Sequence, residues 1–371
     1  MVNSKKTLWW VVGIVIVFVI VVAFSANQKP TETGPIRIGV FTPLTGDAAV
    51  YGESLKKGLS LAVEDANKEG VLGRKIELVY EDTHLDSKTA VDVMNKFTSI
   101  DKFPAVIAAE GSGATTAAMP LADKTKTLTV IPVASAAPLK DAGDYVFRVV
   151  PSDDYRGQQL GDVAKKLGYN TAAILYLNDD YGIGIRDIFK SSFTALGGQI
   201  TNLEPFASGN TDFRSQLTKI KSSNPDVIIV AAHKEFVVIA KQIKALAVAS
   251  KIINTEVVDT AVLKEAGSAA EGIMALDFAT TTDYVGFADK FKAAYGTTPS
   301  VYSDYGYDAL GVIVAAMRDT KSVDSTKLKN DLYKIEYKGA TGIVKFDRNG
   351  EVTAKLFVTY VVKNGVFVKS E

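Results

Sequence analysis

The sequence predicts an α/β protein with two doubly wound lobes behind an N-terminal apolar segment, and three observations carry that prediction. Short apolar runs rich in Val and Ile alternate with helical stretches, which is the pattern of parallel βαβ units in open sheets. The pattern restarts after Phe147-Arg-Val-Val-Pro151. The chain has 371 residues, more than one typical core holds, so about two domains are expected.

Ile36-Arg-Ile-Gly-Val-Phe-Thr42 reads as a first strand buried on both faces, as in a parallel sheet. Tyr51 to Lys68 reads as a helix, because Leu55, Leu59, Ala62, Val63 and Ala66 recur at helical steps. Gly70 ends it. Ile76 to Tyr80 is a second strand, and Ser87 to Ile100 a helix capped by Asp86 or Ser87. Ala105 to Ala109 and Leu128 to Ser135 are further strands.

After the restart, Asp153 to Leu167 reads as a helix, Thr171 to Leu177 as a strand and residues 183–196 as a helix. Asp212 to Ser222 is a helix capped by Thr211 or Asp212. Pro225 to Ala232 is a strand, His233 to Ala249 a helix and Ile252 to Val258 a strand; Glu271 to Asp277 closes this half. The tail holds helices at Ser303 to Thr320 and Ser325 to Ile335. Hairpin strands follow from Gly342, with turn signals at Asn349-Gly350 and Asn364-Gly365.

Composition excludes several function classes. Lys plus Arg and Asp plus Glu each total 42, so no basic excess points to nucleic acid. There are no cysteines, which removes disulfides, thiolate metal sites, thiol nucleophiles and lipid-modified cysteine. His84 and His233 are the only histidines, and neither a His-Glu-x-x-His nor a Gly-x-Ser-x-Gly motif occurs, so an enzyme is not expected. No cofactor is expected.

Lys5 and Lys6 precede Leu8 to Phe24, about 17 uncharged, mostly apolar residues. That length favours an uncleaved transmembrane anchor over a cleaved signal helix, although Ala23 and Ser25 offer a small-residue cleavage site. Lysines before the segment and none just after it place the bulk of the chain outside the cytoplasm. Asn27 to Pro35 reads as a tether.

The candidate site is the stretch Ala108-Ala-Glu-Gly-Ser-Gly-Ala-Thr-Thr-Ala-Ala-Met-Pro-Leu-Ala122. A strand running through Gly-Ser-Gly into a helix start aims backbone N–H groups at one point, where an anion is favoured. Ser112 is expected to cap that helix and to donate to the carboxylate of a small amino acid. A plain capped βα turn accounts for the same local residues.

The ordered motifs decide between these readings. They include Tyr51-Gly52, Gly111-Ser-Gly-Ala-Thr115, Ile131-Pro-Val-Ala-Ser-Ala-Ala-Pro138, Phe147-Arg148, Asp179-Asp-Tyr-Gly182, Asn224-Pro-Asp226, Tyr307-Asp308-Ala309 and Phe346-Asp-Arg-Asn-Gly350. With them the chain resembles the periplasmic-type solute-binding proteins of the branched-chain amino acid (leucine/isoleucine/valine) family from Ile36 to the C-terminus.

The resemblance implies two Rossmann-like lobes joined by a three-crossover hinge. One lobe would be 36–152 plus 280–345, and the other 153–279 plus 346–371. It implies an extracytoplasmic, monomeric binding protein that delivers its ligand to an ABC permease. A membrane-anchored sensor of the same fold is the alternative. It implies that Ser112 and Ser135, with Ala134 beside them, hold the ligand carboxylate, and that Glu256 and the Val133 carbonyl hold the ammonium. Tyr51, Tyr181 and Tyr302 would wall the cleft. Glu110 departs from the family, standing where binders of hydrophobic ligands carry an apolar residue. A cleft aromatic of the leucine-type binders is also absent at Ala232, which His233 follows.

Overall fold

The computed structural model describes residues 34–370 except 47, 234, 256–259, 279–281 and 354–356. The expected anchor, Leu8 to Phe24, and Glu256 therefore lie outside the described residues. Among the described residues no helix is long and apolar enough to cross a membrane.

A first sheet holds β1 (Ile36–Thr42), β2 (Ile76–Asp82), β3 (Ala105–Ala108), β4 (Leu128–Ile131) and β5 (Val146–Arg148), in the order β2-β1-β3-β4-β5. Every neighbouring pair is parallel. Both faces are covered, which is why these strands are apolar nearly throughout. Ile36, Ile38 and Val40 face a core shared with α1 (Ala49–Glu69). Phe41, Val106 and Ala108 face the opposite core, with α2 (Ser87–Asn95) and α3 (Ser112–Thr125).

The second sheet holds β6 (Thr171–Leu177), β7 (Gln199–Phe206), β8 (Val227–Ala231), β9 (Lys251–Asn254) and β10 (Met274–Phe278), with β13 (Phe357–Lys363) and β14 (Val366–Lys369) added at one edge. Its order is β14-β13-β10-β9-β8-β6-β7. β6 to β10 are parallel, and β13 and β14 are antiparallel. On one face, α4 (Asp153–Lys166) and α5 (Asp180–Ala195) bury Leu160, Ile185 and Phe189 against Ile174. On the other, α6 (Arg214–Ser223) and α7 (Phe236–Ala245) bury Leu217, Ile220 and Ile239 against Leu175. α8 (Thr260–Ala266) packs beside α7.

The remaining elements mostly complete the first lobe. α9 (Phe287–Tyr295), α10 (Ser303–Thr320) and α11 (Ser325–Leu332) contribute Phe291, Leu310 and Leu328 to the core around Ile38. β11 (Tyr337–Gly339) and β12 (Gly342–Val344) form a small antiparallel pair. The chain thus passes between the sheets three times, from β5 to α4, from β10 to α9 and from β12 to β13.

Several details differ from the sequence reading. Phe346 and Val352 pack in the first lobe's core, so the last crossover follows them and does not fall at residue 345. The Arg148 guanidinium fixes that segment. It donates from Nε to Glu351 at 3.0 Å and from Nη1 to the Ala136 carbonyl at 2.8 Å. β7 carries Pro205 and few apolar residues, yet it is a strand because it sits at the sheet edge, where proline costs no ladder bond. α7 begins at Phe236, which leaves His233 in the loop leaving β8.

Candidate functional site

The two lobes repeat one strand arrangement. β1 lies between β2 and β3, and β6 lies between β7 and β8. At such a reversal the loops leaving neighbouring strands run to opposite faces and leave a crevice beyond the carboxyl ends. A cavity of about 320 Å³ lies between the two crevices. A larger hollow of about 650 Å³ sits at the opposite end of the first sheet, near Ile36, Pro104 and Thr127, where strands begin. Open α/β sheets bind ligands at the ends of their strands, so the smaller cavity is the candidate site.

The first lobe gives this cavity Tyr51 from α1, Glu110 and Ser112 after β3, and Val133, Ala134 and Ser135 after β4. The second gives Asp179 and Tyr181 after β6, Ser208 after β7 and His233 after β8. Tyr302, at the start of α10, completes the wall. The structure thus brings together every residue singled out in the sequence except Glu256, which lies outside the described residues. Its neighbour Thr255 is buried, and the Thr255 hydroxyl lies 2.7 Å from the Tyr181 hydroxyl.

The first turn of α3 leaves its amide N–H groups without partners inside the helix. Gly111 is its N-cap residue, and Ser112 is the first helical residue. Ser112 therefore does not cap, contrary to the sequence reading. Its Oγ accepts the Ala136 N–H at 3.3 Å and so ties the helix start to the loop after β4. Ser135 is also engaged, because its hydroxyl donates to Asp153 Oδ2 at 2.9 Å. The Asp153 N–H in turn donates to the Ser135 carbonyl at 2.8 Å, which fixes the first crossover against the cavity floor. The Ser135 hydroxyl proton is thus committed to Asp153.

Glu110 is only 1% exposed. One carboxylate oxygen accepts the Gly111 N–H at 3.0 Å, and the other accepts the Thr83 hydroxyl. Burial pushes its carboxyl up to about 7; the charge of Asp82 adds to the rise and the Gly111 N–H opposes it. Asp82 behaves oppositely. Burial raises it, but donors from Thr45, His84 and Leu44 outweigh that and hold its carboxyl down at about 2. The Leu44 N–H donates to it at 2.9 Å and the Thr45 hydroxyl at 2.6 Å, so Asp82 pins the loop that leads from β1 to Tyr51.

The second lobe supplies rings. Tyr181 and His233 stack at 4.6 Å between centroids, and Tyr51 meets His233 edge-on at 6.4 Å across the cleft. Tyr51 and Tyr302 lie 6.3 Å apart. Tyr302 has φ 65°, an unusual conformation for a bulky residue. Backbone strain of this kind persists where surrounding contacts impose it, commonly at ligand sites. Asp179 is absorbed structurally, since its Oδ1 accepts the Gly182 N–H at 2.9 Å and caps α5.

Sequence reasoning did not single out His233, Asp179 or Ser208 as lining residues. Each follows the last residue of a second-lobe strand by a few positions, and that placement is the signal that could have found them. Among the described residues no group of three or more His, Asp or Glu could hold a metal ion.

Known proteins agree with this geometry. A leucine-binding protein, LivK, from Thermotoga maritima superposes with a TM-score of 0.83 at 28% identity, covering 91% of this chain and 98% of its own. The branched-chain amino acid transporter substrate-binding protein LivJ from Streptococcus pneumoniae, solved with isoleucine, gives 0.79 at 27% identity, covering 91% and 100%. A leucine-, isoleucine-, valine-, threonine- and alanine-binding protein of Pseudomonas aeruginosa is 26% identical over 92% of both chains. The family model for periplasmic binding proteins matches residues 35–366. The chain belongs to the periplasmic binding protein family.

Proposed function

We propose that this chain captures an α-amino acid between its two lobes and passes it to an ABC permease in the membrane. Its family binds solutes outside the cytoplasm without transforming them, so it is an extracytoplasmic solute-binding protein and not an enzyme. The observation that carries the amino-acid reading is the two-sided cavity. Ser112 and the free amides of α3 line one side of it, and Tyr181 and His233 line the other.

The α-carboxylate sits at the α3 N-terminus, where the helix dipole and the Ser112 hydroxyl favour it. Amides from Ala134 and Ser135 complete that end. The ammonium takes Glu256 from the second lobe and the Val133 carbonyl from the first. Tyr51, Tyr181 and Tyr302 close over the ligand. A zwitterion held this way touches both lobes only when they are together, so binding shifts the population toward closure. Leu8 to Phe24 anchors the protein beside its permease, and it acts as a monomer.

The test is a thermal-shift screen of the full-length chain against the amino acids, followed by calorimetry. A bound amino acid should raise the melting temperature with its concentration. Ser112→Ala should weaken that ligand by about 1–3 kcal/mol, the cost of leaving a charged partner short of a hydrogen bond. An unchanged affinity would remove Ser112 from the site.

A further inference from the structure

The cavity holds one group that an aliphatic ligand cannot satisfy. Glu110 is 1% exposed and lines the cavity next to Gly111 and Leu85. Its two oxygens accept one hydrogen bond each, from the Gly111 N–H and the Thr83 hydroxyl. A carboxylate has about four lone-pair sites, so each oxygen retains acceptor capacity. Packing a methyl group against that capacity would leave a desolvated acceptor unpaired, which is costly.

The place of Glu110 in the fold says which part of a ligand it meets. It immediately precedes the α3 start, two residues before Ser112. A ligand carboxylate lying against Ser112 and the α3 amides is repelled by Glu110 in its ionised form, the form that accepts a ligand donor, so the corner by Glu110 takes a different part of the molecule. The ammonium has the Val133 carbonyl and Glu256 on the proposed reading, which leaves the side chain. The surroundings agree, because Leu85, near Gly111, and Ser87, near Gly113, line the same cavity with one apolar and one hydroxylic side chain. Glu110 is held in place by Thr83 from the end of β2 and by the first residues before α3, so two elements orient it.

We infer that Glu110 sets the ligand class, selecting α-amino acids whose side chain ends in a hydrogen-bond donor and disfavouring leucine, isoleucine and valine. This inference rests on the amino-acid reading above and narrows it. A site built to pair with a ligand N–H or O–H rejects the analogue lacking it far more strongly than an apolar pocket rejects a missing methylene.

Calorimetry on the full-length chain compares leucine, isoleucine and valine with glutamine, asparagine, threonine and lysine. The expected result is at least one donor-bearing amino acid binding about tenfold or more tighter than any aliphatic one. Glu110→Leu should reverse that order, raising affinity for leucine and lowering it for the donor-bearing ligand. Glu110→Met follows the same unbranched path and carries the same test if the leucine variant misfolds by circular dichroism. Aliphatic ligands binding wild type as tightly as donor-bearing ones would overturn the inference while leaving the amino-acid reading intact. An unchanged order in a folded Glu110 variant would overturn it in the same way. An equal loss of every amino acid in the variants would place Glu110 on the shared ammonium and overturn it too. If wild type binds only an amino acid without a side-chain donor, this inference fails alone; if it binds no amino acid at all, the amino-acid reading fails and this inference falls with it.

Discussion

In the first lobe, β1 runs through a loop into a helix whose first turn holds Tyr51-Gly52. In the second, β6 runs through a loop into a helix whose first turn holds Tyr181-Gly182. Both tyrosines line the cavity, and both meet the His233 ring. The backbone plan is the same, and the chemistry around it differs. The first lobe surrounds its tyrosine with the Ser112 hydroxyl, helix amides and the buried Glu110. The second surrounds its tyrosine with a stacked imidazole and spends Asp179 on capping α5. The shared topology makes a crevice in each lobe, and the residues placed on its rim decide what that lobe grips.

The largest effect should separate the two tyrosines. Tyr181 is 4% exposed, stacks on His233 and shares a hydrogen bond with Thr255. Tyr51 is half-buried and touches its ring neighbours at longer range. Tyr181→Ala should cost about 3–5 kcal/mol of unfolding free energy, as large aromatic truncations in cores do. Tyr51→Ala should cost under about half as much, with its main effect on ligand binding. Urea denaturation of both variants decides this. Equal losses would show that the two tyrosines are buried alike in solution.

Much of this was legible in the sequence. Alternating strands and helices gave two parallel sheets because fully covered strands need apolar residues on both faces, as β1, β3 and β8 have. The Asn364-Gly365 turn was readable because both residues adopt positive φ, which Asn and Gly tolerate. β7 was not readable, since an edge strand with Pro205 lacks the continuous apolar run. The first-lobe loop residues that line the cavity were legible through ordered motifs. That Ser112 does not cap α3 was not, because the choice between Gly111 and Ser112 turns on one residue of helix register. His233 looked helical because apolar periodicity begins close behind it, at Phe236.

The next largest effect tests the buried carboxyl of the first lobe. Burial pushes the Glu110 carboxyl up to about 7 in the folded protein, from its ordinary 4.5. The folded state therefore holds the proton more tightly than the unfolded chain does. The associated stability is fully present below about pH 4.5 and is lost as pH rises through about 7. At 1.36 kcal/mol per pH unit the loss approaches about 3 kcal/mol. Asp82, held near 2, keeps its charge across this window and so adds no titration of its own. Glu110→Gln should flatten this part of the profile, as seen in chemical denaturation between pH 5 and pH 8. A wild-type profile that matches the variant's would show that Glu110 is solvated.

The smallest effect should fall equally on the two lobes. A Cβ added at Gly52 would overlap the Pro43 carbonyl oxygen, and one added at Gly182 would overlap the Leu177 carbonyl oxygen. In each lobe the first turn of the helix presses against the end of the strand it follows, and only a glycine fits that approach. The neighbouring tyrosine is aimed at the cavity by the same contact. Gly52→Ala and Gly182→Ala should each cost about 1–3 kcal/mol, the usual range for forced overpacking. Each should also weaken ligand binding, because relieving the overlap means moving the helix start and with it Tyr51 or Tyr181. A Gly182→Ala protein with normal stability but weak binding would mean that its helix start yields easily and that the glycine mainly aims the ring. Equal stability losses in both variants would show that the two helix starts are held by the same backbone contact, despite the unlike chemistry around them.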